Sequence, residues 1–236
     1  MIDDRKLPSP YPISLRAFHW GVICFVLSLA FTGYAIYFRE ILGIATLKRP
    51  LVYVHAFIAY GFLTLLLFRV WLNLKGGNLS LNALILRRVD IERIRKGDAF
   101  KAIRFAGRGP VSRFLSSLLI AGFCIMAATG LVRAGTDLYH LPLGPLVQNY
   151  VRSDTTPAHL IMPFEKSGTD PNKYNRVMGA KVLVGKVHIY TGFFILFIVL
   201  VHVLGNLIKE LNGRDGKSRG LALHMLFGPS RARGSK

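Results

Sequence analysis

Four of the seven histidines, His19, His55, His188 and His202, lie in long stretches that carry no Lys, Arg, Asp or Glu. An imidazole in apolar surroundings costs free energy unless it has a partner, so each is a candidate for chemistry. His188 and His202 are 14 residues apart. On a helix that separation is about 1400°, about 40° short of four full turns, and it covers about 21 Å along the axis. Both rings therefore leave one face, at two depths. His202 is six residues before the end of its stretch and His19 three residues into its own, while His55 and His188 each stand near a beginning. If the chain crosses a membrane with each stretch, His19 shares a depth with His202, and His55 shares the other with His188. Two neutral imidazoles approaching from different helices at one depth suit a six-coordinate iron porphyrin. The macrocycle fills four equatorial positions and the imidazoles fill the two axial ones. Two such pairs make two haems. No C-x-x-C-H run is present, so thioether attachment is excluded and the cofactor expected is non-covalent haem b.

The elements that must position these rings are the uncharged stretches themselves: Ala17–Phe38, Pro50–Phe68, Phe114–Val132 and Val187–Ile208, of 22, 19, 19 and 22 residues. A bilayer core about 30 Å thick takes about 20 helical residues, and an open strand cannot cross it with its backbone groups unpaired. Four transmembrane helices in one membrane domain spanning 1–236 are therefore predicted. Composition agrees: 52% of the 236 residues are hydrophobic and 18% charged, with a mean hydropathy of +0.39. Those values exclude an ordinary soluble domain and a disordered chain. The first stretch is too long for a secretory signal, and Tyr34, Tyr37, Phe38, Arg39 and Glu40 stand where a small-residue cleavage site would be, so it reads as a retained helix.

With four spans both termini share a side. That side, with the 69–113 loop and the 209–236 tail, holds 21 of the 31 Lys and Arg. The other holds 10, which predicts cytoplasmic termini. The formal net charge of +19 then belongs to anionic headgroups. A nucleic-acid reading of Arg87 to Arg113 lacks aromatic platforms. Leu81, Leu84, Ile85 and Ile94 among Arg87, Arg88, Arg93 and Arg95 predict a short helix lying on the membrane surface. The outer segment 133–186, with five prolines, is too long for a connector alone and is expected to form a cap or docking surface.

Other residues have blander readings. His140, His159 and His224 are expected to be non-ligands, Cys24 and Cys124 to be core packing, and Met126, Met162 and Met178 to fill gaps. Thr32-Gly33, Thr129-Gly130 and Thr191-Gly192 recur in three of the stretches, and their glycines let either a flat macrocycle or a neighbouring helix come close. Arg16 and Lys186 are expected to be snorkelling anchors, with pairing to propionates as the alternative. Zinc is disfavoured, because the four His divide between two depths instead of gathering at one. A haem-free channel or transporter with a His proton path is the alternative from another class.

Several of these residues resemble the bacterial cytochrome b561 superfamily, in particular the b-type cytochrome subunits of membrane-bound nickel-iron hydrogenases and related dehydrogenases. The likeness rests on Arg16-Ala17-Phe18-His19-Trp20, Thr32-Gly33, His55, Thr129-Gly130, His188, Val201-His202-Val203 and the tail from Gly220 to Gly228. It implies a four-helix bundle with two stacked b haems, held by His19 with His202 and by His55 with His188. It also implies a dihaem membrane subunit of an oxidoreductase complex, relaying electrons between an extracytoplasmic redox partner and the membrane quinone pool. In the hydrogenase-like form electrons enter at the His55/His188 haem, pass to the His19/His202 haem, and reduce quinone near the cytoplasmic end. The alternative within this fold is a stand-alone quinone oxidoreductase acting on a small species such as superoxide. The long outer segment favours the docking form.

Overall fold

Hydrophobic stretches free of charge become helices because every backbone group is then paired within the segment. The computed structural model describes residues 13–74, 85–96 and 110–212. Six α-helices follow in order: α1 (Ile13–Tyr37), α2 (Lys48–Leu74), α3 (Arg88–Arg95), α4 (Pro110–Asp137), α5 (Gly144–Val151) and α6 (Pro171–Asn212). Short 3-10 turns at Ala45–Leu47 and Ala158–Leu160 precede α2 and interrupt the α4–α6 connection. Among the described residues there is no strand, only an isolated bridge between Arg152 and Thr169. Helices α1, α2, α4 and α6 are each long and apolar enough to cross a membrane.

The helices outrun the uncharged stretches. α6 is 42 residues long and begins at Pro171, well before Val187. Its start is set by local chemistry: the Asp170 carboxylate accepts from the backbone N–H of Asn172 (2.8 Å) and of Lys173 (2.9 Å), and Pro171 occupies the first helical position. Those donors, that of Lys173 foremost, hold the Asp170 carboxyl below its usual range. α4 likewise runs on to Asp137, so much of 133–186 is helical.

Contacts divide the chain into two units. The first comprises the described parts of Met1–Val26, Thr64–Leu119 and Phe197–Lys236. Within it the Arg69 guanidinium lies 5.3 Å from the Phe18 ring centre, and Gly21 leaves room for the Leu65 side chain. A short helix is there as α3, although Leu81 and Leu84 lie outside the described residues. Asp90 is only 2% exposed. Its carboxylate accepts twice from Arg113 Nη1, at 3.0 and 2.9 Å, and once from the Arg87 N–H. The Leu86 N–H donates to Ser117 Oγ at 2.8 Å. Together these tie α3 to α4.

Burial alone would raise the Asp90 carboxyl, but the bonds from Arg113 and Arg87 outweigh it and hold the group below the usual carboxylate range. A depressed folded-state value means that the tether stabilises fully above the ordinary carboxylate pKa, about 3.9, and fades as pH falls through the lower folded value. We therefore expect amide exchange across residues 88–95 to stay slow from neutral pH down to about pH 4 and to quicken in stronger acid. In Asp90→Asn the exchange should be fast at neutral pH already. Equal protection in the variant and the parent chain would show that the ion pair does not hold α3.

The second unit comprises Leu27–Leu63 and Ile120–Leu196. Phe62 meets Phe123 edge-on at 5.2 Å, and Gly122 lets Ile195 pack against the α4 backbone. The α4–α6 connection has its own core around Val151 and Ile161, the most deeply buried side chains described. Gln148 closes it by donating to the Ile161 carbonyl, and the Asp170 N–H donates to Val151. Along the long helices large apolar side chains point outward, Phe57 being 82% exposed, as lipid contact requires. Cys24 and Cys124 are exposed and unpaired, which corrects the core-packing expectation. A helix apolar all round gives no sequence signal to separate its lipid face from its packed face.

Candidate functional site

In the second unit, His55 of α2 and His188 of α6 face each other with ring centroids 6.4 Å apart and planes at 79°. Each ring is anchored by a threonine of a different helix. His55 Nδ1 is 2.8 Å from Thr32 Oγ1 of α1, and His188 Nδ1 is 2.9 Å from Thr129 Oγ1 of α4. Both hydroxyls also reach the carbonyl one turn back, Ser28 O at 2.8 Å and Ile125 O at 2.7 Å. A hydroxyl has one hydrogen to give. Donated to the carbonyl, it leaves the oxygen as the acceptor for an Nδ1–H. The threonines thereby select the imidazole tautomer whose Nε2 carries the free lone pair, the form a metal ligand needs.

The residue after each threonine is glycine, for a steric reason. A Cβ at Gly33 would lie 3.4 Å from His55 Cε1, and one at Gly130 would lie 3.5 Å from His188 Cε1. The Thr-Gly pairs of α1 and α4 therefore act alike, each presenting one hydroxyl and one bare backbone to a ring on the next long helix. The third pair does something else, since Gly192 faces the Met126 side chain.

In the first unit the charge of His202 acts on His19. Their surroundings differ from those of the other pair. Among the described residues, buried His19 Nδ1 has no hydrogen-bond partner. His202 Nε2 is 3.2 Å from the Asn206 side-chain amide, which also donates to the His202 carbonyl at 2.9 Å. Among the described residues, Arg16 Nε is buried without a hydrogen-bond partner as well. Lys186 is exposed.

Sequence reasoning missed a cluster near the His55/His188 pair. Arg133 acts on both rings through its charge. Its guanidinium pairs with Asp137 at 3.3 Å, and Asp137 also bridges to Lys181 of α6. The available signal was the Arg-Asp spacing of four, hidden by taking the helix to end at Val132. Of the other histidines, His140 packs between Tyr53 and Tyr60, lining with them, Val54 and Phe57 a cavity of about 430 Å³. His159 is in the Ala158–Leu160 turn, and His224 lies outside the described residues.

The donor set can now be tested against a cofactor. Among the described residues no three His, Cys, Asp or Glu side chains converge, so a bare ion would lack ligands. A cofactor that brings four equatorial donors needs only two. Two imidazoles bound through nitrogen to one first-row metal, at about 2.0–2.1 Å each, have ring centres roughly 6–7 Å apart, which the 6.4 Å separation matches. His55 and His188 fit a bis-imidazole haem.

Four membrane-length helices and imidazoles paired between them define a class, the helical membrane cytochromes of b type. The chain belongs to the prokaryotic cytochrome b561 family, whose family model matches residues 10–220. This makes it a multi-pass bacterial membrane protein of electron transfer. No curated protein and no solved structure matches the chain.

Proposed function

We propose that the chain is a dihaem b-type cytochrome subunit, a four-helix bundle that relays electrons between an extracytoplasmic redox partner and the membrane quinone pool. His55 and His188 are the axial ligands of one haem and His19 and His202 those of the other. Both termini are cytoplasmic. The observation that chiefly supports this reading is the His55/His188 pair, 6.4 Å apart with each Nδ1 held by a threonine. A b haem supplies a reversible one-electron ferric/ferrous couple. The protein's part is to fix two lone pairs per iron, exclude water with apolar helices, and place charge nearby.

The docking form is favoured over a stand-alone enzyme by the α4–α6 connection. Its buried Val151 and Ile161, and helix α5 beside them, make a folded surface that a small oxidant has no need of. The test is purification in mild detergent. A reduced-minus-oxidised spectrum with a b-type alpha band, two haems per chain by pyridine haemochrome, and a co-purifying cofactor-bearing partner are expected. No alpha band would end the haem reading, leaving a haem-free channel. Two haems in a lone, quinone-active chain would transfer the assignment to the stand-alone enzyme.

A further inference from the structure

We infer that Thr32 and Thr129 are positioning residues that lower the midpoint potential at the His55/His188 pair, making it the more reducing of the two sites. The inference rests on the proposed ligation.

Its basis is a difference between the two pairs. Each imidazole of the His55/His188 pair gives its Nδ1–H to a threonine oxygen whose own hydrogen is committed to a backbone carbonyl. The opposite assignment, with the hydroxyl donating to Nδ1, would leave two oxygens 2.7–2.8 Å apart with no hydrogen between them, which is repulsive. A ring that donates from Nδ1 is more basic at Nε2 and stabilises the more positive state of a bound metal. For iron that is the ferric state, so the potential falls. Among the described residues the other pair lacks this support: His19 Nδ1 has no hydrogen-bond partner there, and the hydrogen bond on the His202 ring is at Nε2, from Asn206.

Nearby cations favour the ferrous state and oppose the effect, so they must be weighed. Arg133 acts on the His55/His188 pair, and because Asp137 is shared between Arg133 and Lys181 the cluster keeps a net positive charge there. That charge opposes the effect of the threonines, whose hydrogen bonds are made to the ligating rings themselves. The couple is a one-electron one in which no covalent bond changes, so axial-ligand basicity and local charge are the protein's levers.

The test is a potentiometric titration of the full haem-loaded chain, followed in the alpha band. Thr32→Val and Thr129→Val keep the branched shape and remove only the oxygen. His55→Ala, which keeps the other haem, assigns the two waves. Each valine variant should keep two haems per chain and raise only the lower wave. The expected shift is a tenfold change in the ferric-to-ferrous ratio at fixed ambient potential, 59 mV for one electron, larger in the double variant. The ferric electron-spin resonance signal of that haem should move with it. Thr→Ser at either site should restore the parent potential. Full haem content with an unmoved lower wave, or a shift of the upper wave, would overturn the assignment. If a valine variant loses haem, recovery of both haem and potential in the serine variant supports the hydrogen bond, and no recovery refutes it. A parent chain without any alpha band would instead sink the haem reading, which keeps the two failures distinct.

Discussion

Replacing His55 or His188 with Ala is expected to remove one and the same haem, and replacing His19 or His202 to remove the other. Each single variant should fall from two haems per chain to one by pyridine haemochrome. The pairing is tested by doubles. His55→Ala with His188→Ala should still hold one haem, because both changes empty one site, whereas His55→Ala with His19→Ala should hold none. The physical ground is that a b haem has no covalent link to the chain, so its retention depends on two nitrogen ligands and on apolar packing. In the His55/His188 pair a lost ring leaves each threonine hydroxyl still bonded to its backbone carbonyl, so what is lost is the nitrogen ligand itself. One haem left in the His55/His19 double would disprove the pairing, as would loss of the same haem in all four singles.

How far the amino-acid sequence alone makes these features legible depends on what each feature's signal is made of. The four spans are legible because uncharged runs of 19 to 22 residues have few alternatives in a chain this apolar. The start of α6 is not, because Lys173, Arg176, Lys181 and Lys186 break the run while leaving helix formation untouched. Asp170-Pro171 is the local sign that hydropathy cannot see. The depth matching of His55 with His188 is legible from helix arithmetic, and the two rings do meet. The threonine anchors show only as a recurring dipeptide. Their partners are 23 and 59 residues away, and nothing in a single sequence links them. The Arg133–Asp137–Lys181 cluster needs two helices at one level, and the exposure of Cys24 and Cys124 is not marked by composition.

Asp137→Ala is expected to be the most destabilising single change outside the histidines. Asp137 is 8% exposed and takes one cation from its own helix, Arg133, and one from α6, Lys181. Removing it leaves two positive groups close together near the end of an apolar span. Breaking a buried pair by deleting one partner costs about 3–5 kcal/mol, but Arg133 and Lys181 stay 31% and 27% exposed, so solvent screening reduces this to about 2–3 kcal/mol. For a chain of this size that is a fall of roughly 5–10 °C in Tm, readable in detergent as loss of helix. A second variant separates charge from shape: adding Lys181→Met to Asp137→Ala removes one of the stranded cations and should recover most of the loss. If Asp137→Ala left Tm unchanged, or if Lys181→Met lowered it further, the acid would not be the electrostatic bridge between α4 and α6. The same variant bears on the redox order of the two sites, because Arg133 acts on both the His55 and His188 rings. Without Asp137 its charge is no longer offset, and the lower of the two potentials should rise toward the higher.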